Sequence, residues 1–166
     1  MAARGKSGVK ITDTDKGYAR LVERMHNIAG SKPSVVVGIL EGVADRETDG
    51  VTVLDKGIWN EFGTKNKSGG WHTPPRSFIR GTVDEKRAEA GQLLAFYVRQ
   101  IVAVKLDEET ALGRFGAWFQ GQIQKRIASG IDPDNAESTI ARKGSSTPLI
   151  NTGQLRSAIT WAIRRR

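Results

Sequence analysis

The residues of this sequence that could carry out chemistry are few, and their spacing fits no catalytic site. The chain has no cysteine, and its two histidines, His26 and His72, lie far apart without companions at a metal-ligand spacing. The stretch from Gly63 to Gly70 lacks the Gly-Lys-Ser/Thr ending of a phosphate-binding loop, and no Gly-x-Ser-x-Gly elbow occurs. The carboxylates form no paired arrangement. We therefore expect no enzymatic activity, no metal and no cofactor.

The first of three segments suited to binding is Asn-Glu-Phe-Gly-Thr at 60–64, which coincides with a helix end. Phe62 is expected in the hydrophobic core, and Gly63 is expected to end the helix in a left-handed conformation. Glu61 does not suit a core position. It is expected to pair with an arginine of the next segment, within the subunit or across a subunit boundary.

The second segment is Pro-Pro-Arg-Ser-Phe-Ile-Arg at 74–80. Pro75 and its neighbour stiffen the start of the segment, and Phe78 is expected to anchor it. Arg76 and Arg80 are suited to binding a carboxylate in a bidentate manner. The alternative is a basic loop whose arginines are merely solvated.

The third segment lies near the C-terminus and predicts a turn followed by a short helix. Asn151 or Thr152 is suited to capping that helix, and Gly153 permits an unusual backbone turn. The hydrophobic residues around the turn are expected to pack it against a sheet. The segment is either a structural clasp that positions the last strand or a contact between subunits, and its candidate residues are Thr152, Gly153, Gln154, Leu155 and Arg156.

Apolar periodicity predicts the elements that must position these segments. The first half of the chain predicts a strand at 9–12, a helix from Asp13 or Thr14 to Gly30, strands at 34–40 and 51–53, and a helix from Asp55 to Gly63. The second half predicts a helix to about 104 that begins with a Thr82–Glu85 capping box, a helix from Asp107 to Gly130, and a strand near 158–164. Loops are expected at 64–76 and 132–147, and residues 41–50 are expected to form a polar loop or the tip of a hairpin.

These elements predict a small α+β domain at 9–166, preceded by a mobile basic arm at 1–8. A small mixed or antiparallel sheet is packed by an N-terminal helix and by a long antiparallel helical hairpin. The length of 166 residues fits one domain, and no apolar run is long enough to cross a membrane.

The formal net charge of +8 favours acidic partners such as nucleic acid, although it also serves solubility. The basic residues are spread along the chain, apart from the N-terminal arm and the terminal Arg164–Arg166. This pattern argues against sequence-specific DNA binding and leaves open a weak contact with a phosphate backbone, which requires only positive charge.

The three segments, in this order, resemble those of phage tail-component and virion-morphogenesis proteins that act as neck or tail-completion factors. The matching segments are Glu-Phe-Gly-Thr at 61–64, the arginine-rich segment at 74–80, and Leu-Ile-Asn-Thr-Gly-Gln-Leu-Arg-Ser at 149–157. The resemblance covers roughly residues 34–163.

The resemblance implies a non-enzymatic subunit of the virion, at the junction between the DNA-filled head and the tail. Such subunits form homo-oligomeric rings, commonly six-fold, and dock to head connector, tail terminator or tube proteins. Non-specific contact with the passing DNA is compatible with this role. The alternatives are a tail terminator that caps the tail tube and a basic DNA-binding protein.

Overall fold

A computed structural model describes residues 14–31, 33–45, 47–48, 50–134 and 153–165 of the chain. The basic arm at 1–8 and the strand at 9–12 lie outside the described residues. So do Asn151 and Thr152, together with most of the loop expected at 132–147.

The described residues form an α+β fold, as the sequence predicts. The helices are α1 (Tyr18–Ser31), α2 (Val53–Phe62), α3 (Arg80–Val102), α4 (Glu108–Ser129) and the short α5 (Gln154–Ser157). The strands are β1 (Ser34–Ile39), β2 (Glu47–Thr48), β3 (Val51–Thr52), β4 (Thr64–Lys65), β5 (Trp71–Thr73) and β6 (Ile159–Arg164). Each sheet among them is an antiparallel pair, namely β1 with β6, β2 with β3 and β4 with β5.

The β1–β6 pair joins the two ends of the fold, with Ser34 opposite Arg164 and Ile39 opposite Ile159. Helix α4 covers one face of this pair, and two of its glycines permit a close approach. A Cβ atom on Gly116 would lie only 2.9 Å from the Trp161 ring and from Val35. At this point the absence of a side chain on Gly116 allows the helix to lie close to the sheet.

The hydrophobic core lies between α4, the C-terminal segment and the beginnings of α2 and α3. Its fully or almost fully buried members are Val53, Phe78, Ile123, Ile127, Leu155, Ala158 and Ile159. Burial of a large apolar side chain contributes roughly 1.5–3 kcal/mol. The core thus binds together segments that are far apart in the sequence.

Helices α3 and α4 form the expected hairpin, but the capping box that was predicted to open α3 is wrong. Helix α3 already begins at Arg80, and the Thr82 hydroxyl donates to the Phe78 carbonyl (2.6 Å). Glu85 instead accepts a hydrogen bond from Arg126 of α4 (2.7 Å). The reason is that a carboxylate from α2 already serves the first N–H groups of the helix, as described below.

The start of α4 follows the prediction. Asp107 accepts hydrogen bonds from the backbone N–H and the hydroxyl of Thr110, both at 2.8 Å. These bonds favour the ionised carboxylate and lower the pKa of Asp107. Gly130 follows the last helical residue, Ser129.

Helix α1 is capped by Asp15, whose carboxylate accepts hydrogen bonds from the backbone N–H groups of Gly17, Tyr18 and Ala19. The cap therefore lies one residue beyond the predicted Thr14. Helix α1 faces the helical hairpin across an apolar groove of about 480 Å³. Arg24 links the two by donating to the Leu106 carbonyl (3.0 Å).

One loop assignment and one strand assignment from the sequence are corrected. The segment at 64–76 contains the β4–β5 hairpin, because Asn66 and the glycines that follow it form a tight turn. Val53 belongs to α2 rather than to the preceding strand, because the Thr52 hydroxyl caps this helix by accepting the Asp55 N–H (3.0 Å). Within the described residues, no helix is long and apolar enough to span a membrane.

Candidate functional site

The first two sequence segments meet where the end of α2 touches the start of α3, and we call this contact the α2–α3 junction (Glu61, Ser77, Ile79 and Arg80). Glu61 is only 5% exposed. Its carboxylate accepts hydrogen bonds from the backbone N–H groups of Ile79 (2.9 Å) and Arg80 (3.0 Å). Negative charge at a helix N-terminus is favourable, so Glu61 caps α3 from another helix.

Arg80 closes the junction. Its Nε donates to the Glu61 carboxylate (3.0 Å), and its Nη2 donates to the Glu61 carbonyl and to the Ser77 hydroxyl, both at 2.9 Å. The predicted pairing of Glu61 with an arginine is confirmed, and it forms within the subunit. The carboxylate is not held in a bidentate manner, because its other oxygen accepts the Ile79 N–H.

Phe62 lies outside the core, contrary to the prediction. Its side chain is 56% exposed, and the Arg80 guanidinium lies over its ring at 4.6 Å from the centroid. The buried residues of α2 are Val53, Gly57 and Glu61, so the opposite face of the helix points outward. Phe78, the other phenylalanine of the two segments, is fully buried as predicted.

Arg76 has a different role from that of Arg80. It is buried, and it donates to the carbonyls of Pro133 (2.8 Å) and Asp134 (3.0 Å). Burial lowers the pKa of Arg76, and the Asp134 carboxylate opposes this change. Arg76 therefore ties the second segment to the chain that follows α4, and it is not a solvated loop residue.

Gly63 connects α2 to the β4–β5 hairpin with φ +74° and ψ 168°, a conformation almost confined to glycine. The positive φ follows the prediction, but ψ lies outside the left-handed helical region. A Cβ atom here would lie 2.8 Å from the Thr73 carbonyl, the Pro75 nitrogen and the Trp71 ring. Pro75, which is half-buried, therefore packs closely against Gly63.

Beyond Gly63 the chain forms the basic hairpin, residues 64–73. Asn66 orders its turn by accepting the Gly70 N–H and the Ser68 hydroxyl, both at 2.9 Å. Residues 65–72 are all exposed. A Gly-Gly turn between short β-forming stretches is the sequence signal that could have identified this hairpin.

The third segment forms the predicted turn and short helix. Gly153 adopts φ 73° and ψ 0°, which is left-handed, and Gln154 begins α5. Leu155 is buried in the core, whereas Arg156 is exposed and its carbonyl accepts from Gln124 (3.2 Å). These contacts fit the clasp that positions the last strand. Thr152 lies outside the described residues.

The three segments therefore form one unit, in which the first two are joined by hydrogen bonds and the third shares their core. The described residues contain no cluster of three or more metal-ligating side chains. Comparisons of the chain with known protein families, curated proteins and solved structures give no match.

Proposed function

We propose that this protein is a structural subunit of the head–tail junction of a tailed phage, a ring-forming tail-completion factor that acts by binding. The resemblance of its three segments supports the proposal. Their arrangement around one core is consistent with it, because all three position neighbouring elements. They serve as a scaffold, and the contacts with other subunits fall on the surfaces around them.

The observation that carries the proposal is that α2 turns its apolar side chains outward. Leu54, Ile58 and Phe62 recur at every fourth residue and are all exposed. The face turned inward carries Gly57, where the Ile39 side chain leaves no space for a Cβ atom, and the charged Glu61. A helix whose apolar stripe is left in solvent marks a protein–protein contact.

A second apolar stripe lies at the far end of α3. Leu94, Val98 and Val102 also recur at every fourth residue, are exposed, and line the groove beneath α1. Because Phe62 contacts Arg80 at the start of α3, the second stripe begins roughly 20 Å further along this helix.

Two different apolar surfaces on one subunit suit a head-to-tail interface. In such an interface the α2 stripe of one subunit meets the α3 stripe of the next, and the repeat closes into a ring. A tail terminator would form the same kind of ring. The position of the chain along the particle axis separates these two roles.

The interface is tested with Ile58→Asp and Val98→Asp, each of which places a charge on one stripe. Each variant alone is expected to lose the oligomer, and an equimolar mixture is expected to stop at the heterodimer, because one intact interface remains. Light scattering after size exclusion measures the mass, with Gln92→Asp on exposed α3 surface as the control. Oligomers that survive both substitutions would contradict this interface.

The place in the particle is tested by mass spectrometry of purified virions, followed by a reconstruction of the head–tail junction. The chain is expected in the mature particle, as a ring adjoining the connector. Its absence from virions would contradict a structural role.

A further inference from the structure

The basic hairpin lies in a stretch of chain without acidic residues. No aspartate or glutamate occurs between Glu61 and Asp84, whereas Lys65, Lys67 and two arginines do. Glu61 is itself buried and bonded within the α2–α3 junction. The positive charge of the hairpin is therefore not neutralised by any exposed carboxylate of its own segment.

Aromatic surface accompanies this charge. Trp71 is 52% exposed, and the Lys65 ammonium group lies 5.4 Å from the centroid of its ring. In the same way, the Arg80 guanidinium lies over the ring of the exposed Phe62. Trp71 packs beside Gly63, the residue after Phe62, so the two cation–aromatic pairs lie near each other.

The turn of the hairpin is ordered by hydrogen bonds and carries small side chains or none at residues 68–70. Its backbone closes through the Asn66 N–H, which donates to the Gly70 carbonyl (2.8 Å), and the Gly69 N–H, which donates to the Asn66 carbonyl (3.1 Å). Ser68, Gly69 and Gly70 lack large side chains. A partner can therefore approach this turn closely, next to Lys67.

We infer that this surface, formed by the basic hairpin and the neighbouring Phe62 ring, binds the phosphate backbone of duplex DNA without reading its sequence. The inference deepens the proposed function and rests on it, because the head–tail junction is the place where DNA passes. Among the described residues Lys65 and Lys67 have no salt bridge to a carboxylate, and such ammonium groups are suited to neighbouring phosphates. The aromatic rings supply apolar surface for the sugars that lie between those phosphates.

DNA explains this surface better than an acidic protein does. The hairpin offers mobile point charges and no arginine fork that is free to grip a carboxylate, because Arg80 already binds Glu61. Phosphate contacts tolerate such point charges, because affinity there comes largely from the release of counterions.

The test measures binding of the full chain to a mixed-sequence DNA duplex by fluorescence anisotropy across a salt series. The test variant is Lys65→Ala with Lys67→Ala. The control is Lys16→Ala with Lys105→Ala, which removes the same charge from exposed lysines elsewhere. The logarithmic salt slope of the test variant is expected to fall by about 1.8 for each engaged subunit, which corresponds to roughly 60-fold weaker binding at 0.1 M salt.

Replacement of both hairpin lysines by arginine is expected to keep the wild-type slope, since the charge remains. Equal slopes for the test and control variants would overturn the inference, and so would wild-type binding only to an acidic polypeptide such as polyglutamate. Light scattering on the same variants is expected to show the wild-type oligomer. If the test variant loses DNA binding but keeps the wild-type oligomer, the loss is due to the hairpin lysines. If the wild-type protein never oligomerises, the proposed ring-forming function is contradicted.

Discussion

The α2–α3 junction and the basic hairpin are neighbours in the chain, yet they are built in opposite ways. At the junction, Glu61 is buried and its carboxylate accepts three hydrogen bonds from Ile79 and Arg80. In the hairpin, residues 65–72 are exposed, and their hydrogen bonds serve only the turn itself. Only Phe62 and Gly63 lie between Glu61 and the hairpin in the chain.

This difference shows that the segments that were easiest to recognise in the sequence have structural roles. Glu61, Arg76, Phe78 and Leu155 hold elements together, and they are buried. The exposed surfaces that we propose for partners are the hairpin and the outward stripes of α2 and α3. The following substitutions test this division, in order of expected effect.

The largest contrast is expected between the two phenylalanines of the junction region. Phe78→Ala removes a fully buried ring and is expected to lower the free energy of unfolding by about 4 kcal/mol, from lost burial and the cavity left behind. Phe62→Ala removes a half-exposed ring and is expected to cost about 1 kcal/mol or less. Urea denaturation followed by circular dichroism measures both. Equal losses would show that Phe62 belongs to the core after all.

Removal of the Glu61 carboxylate is expected to have the next largest effect. Glu61→Ala leaves the backbone N–H groups of Ile79 and Arg80 without their acceptor, and the expected loss is about 3 kcal/mol. Glu89→Ala is the matched control, since the described residues give this exposed glutamate one salt bridge, to Lys86 on its own helix, and its expected loss is within about 0.5 kcal/mol. Thermal unfolding of both variants measures the two losses of stability. A Glu61→Ala protein as stable as the control would mean that α3 is capped by some other group.

The two regions differ again at their glycines. Gly63→Ala places a Cβ atom against the Thr73 carbonyl and the Trp71 ring in a conformation that alanine rarely adopts, so the expected loss is about 2–3 kcal/mol. Gly69→Ala meets no neighbour at φ +86°, and only the backbone strain of about 1 kcal/mol remains. Guanidinium denaturation of the pair measures the difference. Similar losses would contradict the tight closure around Gly63.

The sequence predicted the elements whose periodicity was strong. Strand β1, the α3–α4 hairpin and β6 lie close to the expected bounds, because long apolar stripes and caps such as Asp107 define them locally. The pairing of β1 with β6 joins opposite ends of the chain. No local pattern encodes it, since register depends on the packing of both strands against α4.

The error at Phe62 has a related cause. Periodicity shows that Leu54, Ile58 and Phe62 share a face, but it does not show which face of α2 points inward. That choice depends on Gly57, which accommodates Ile39, and on Glu61, which caps α3. Both requirements come from elements distant in the sequence. The pairing of Glu61 with an arginine was predictable from charge alone, whereas the burial of Arg76 against the chain after α4 was not.

The smallest global effect is expected from Asn66→Ala, which loosens the hairpin turn without touching the junction. The free energy of unfolding is expected to change by less than about 1 kcal/mol, because the turn is exposed and contributes nothing to the core. The Gly70 amide loses its bond to the Asn66 side chain and is expected to exchange with solvent about fivefold faster, for a local loss of about 1 kcal/mol. Amide hydrogen exchange measures this directly. Ser68→Ala is the control, since its hydroxyl donates to the same oxygen without holding the Gly70 amide. If Asn66→Ala instead lowered global stability as much as Gly63→Ala, the hairpin and the junction would be one cooperative unit, and the contrast between them would not hold.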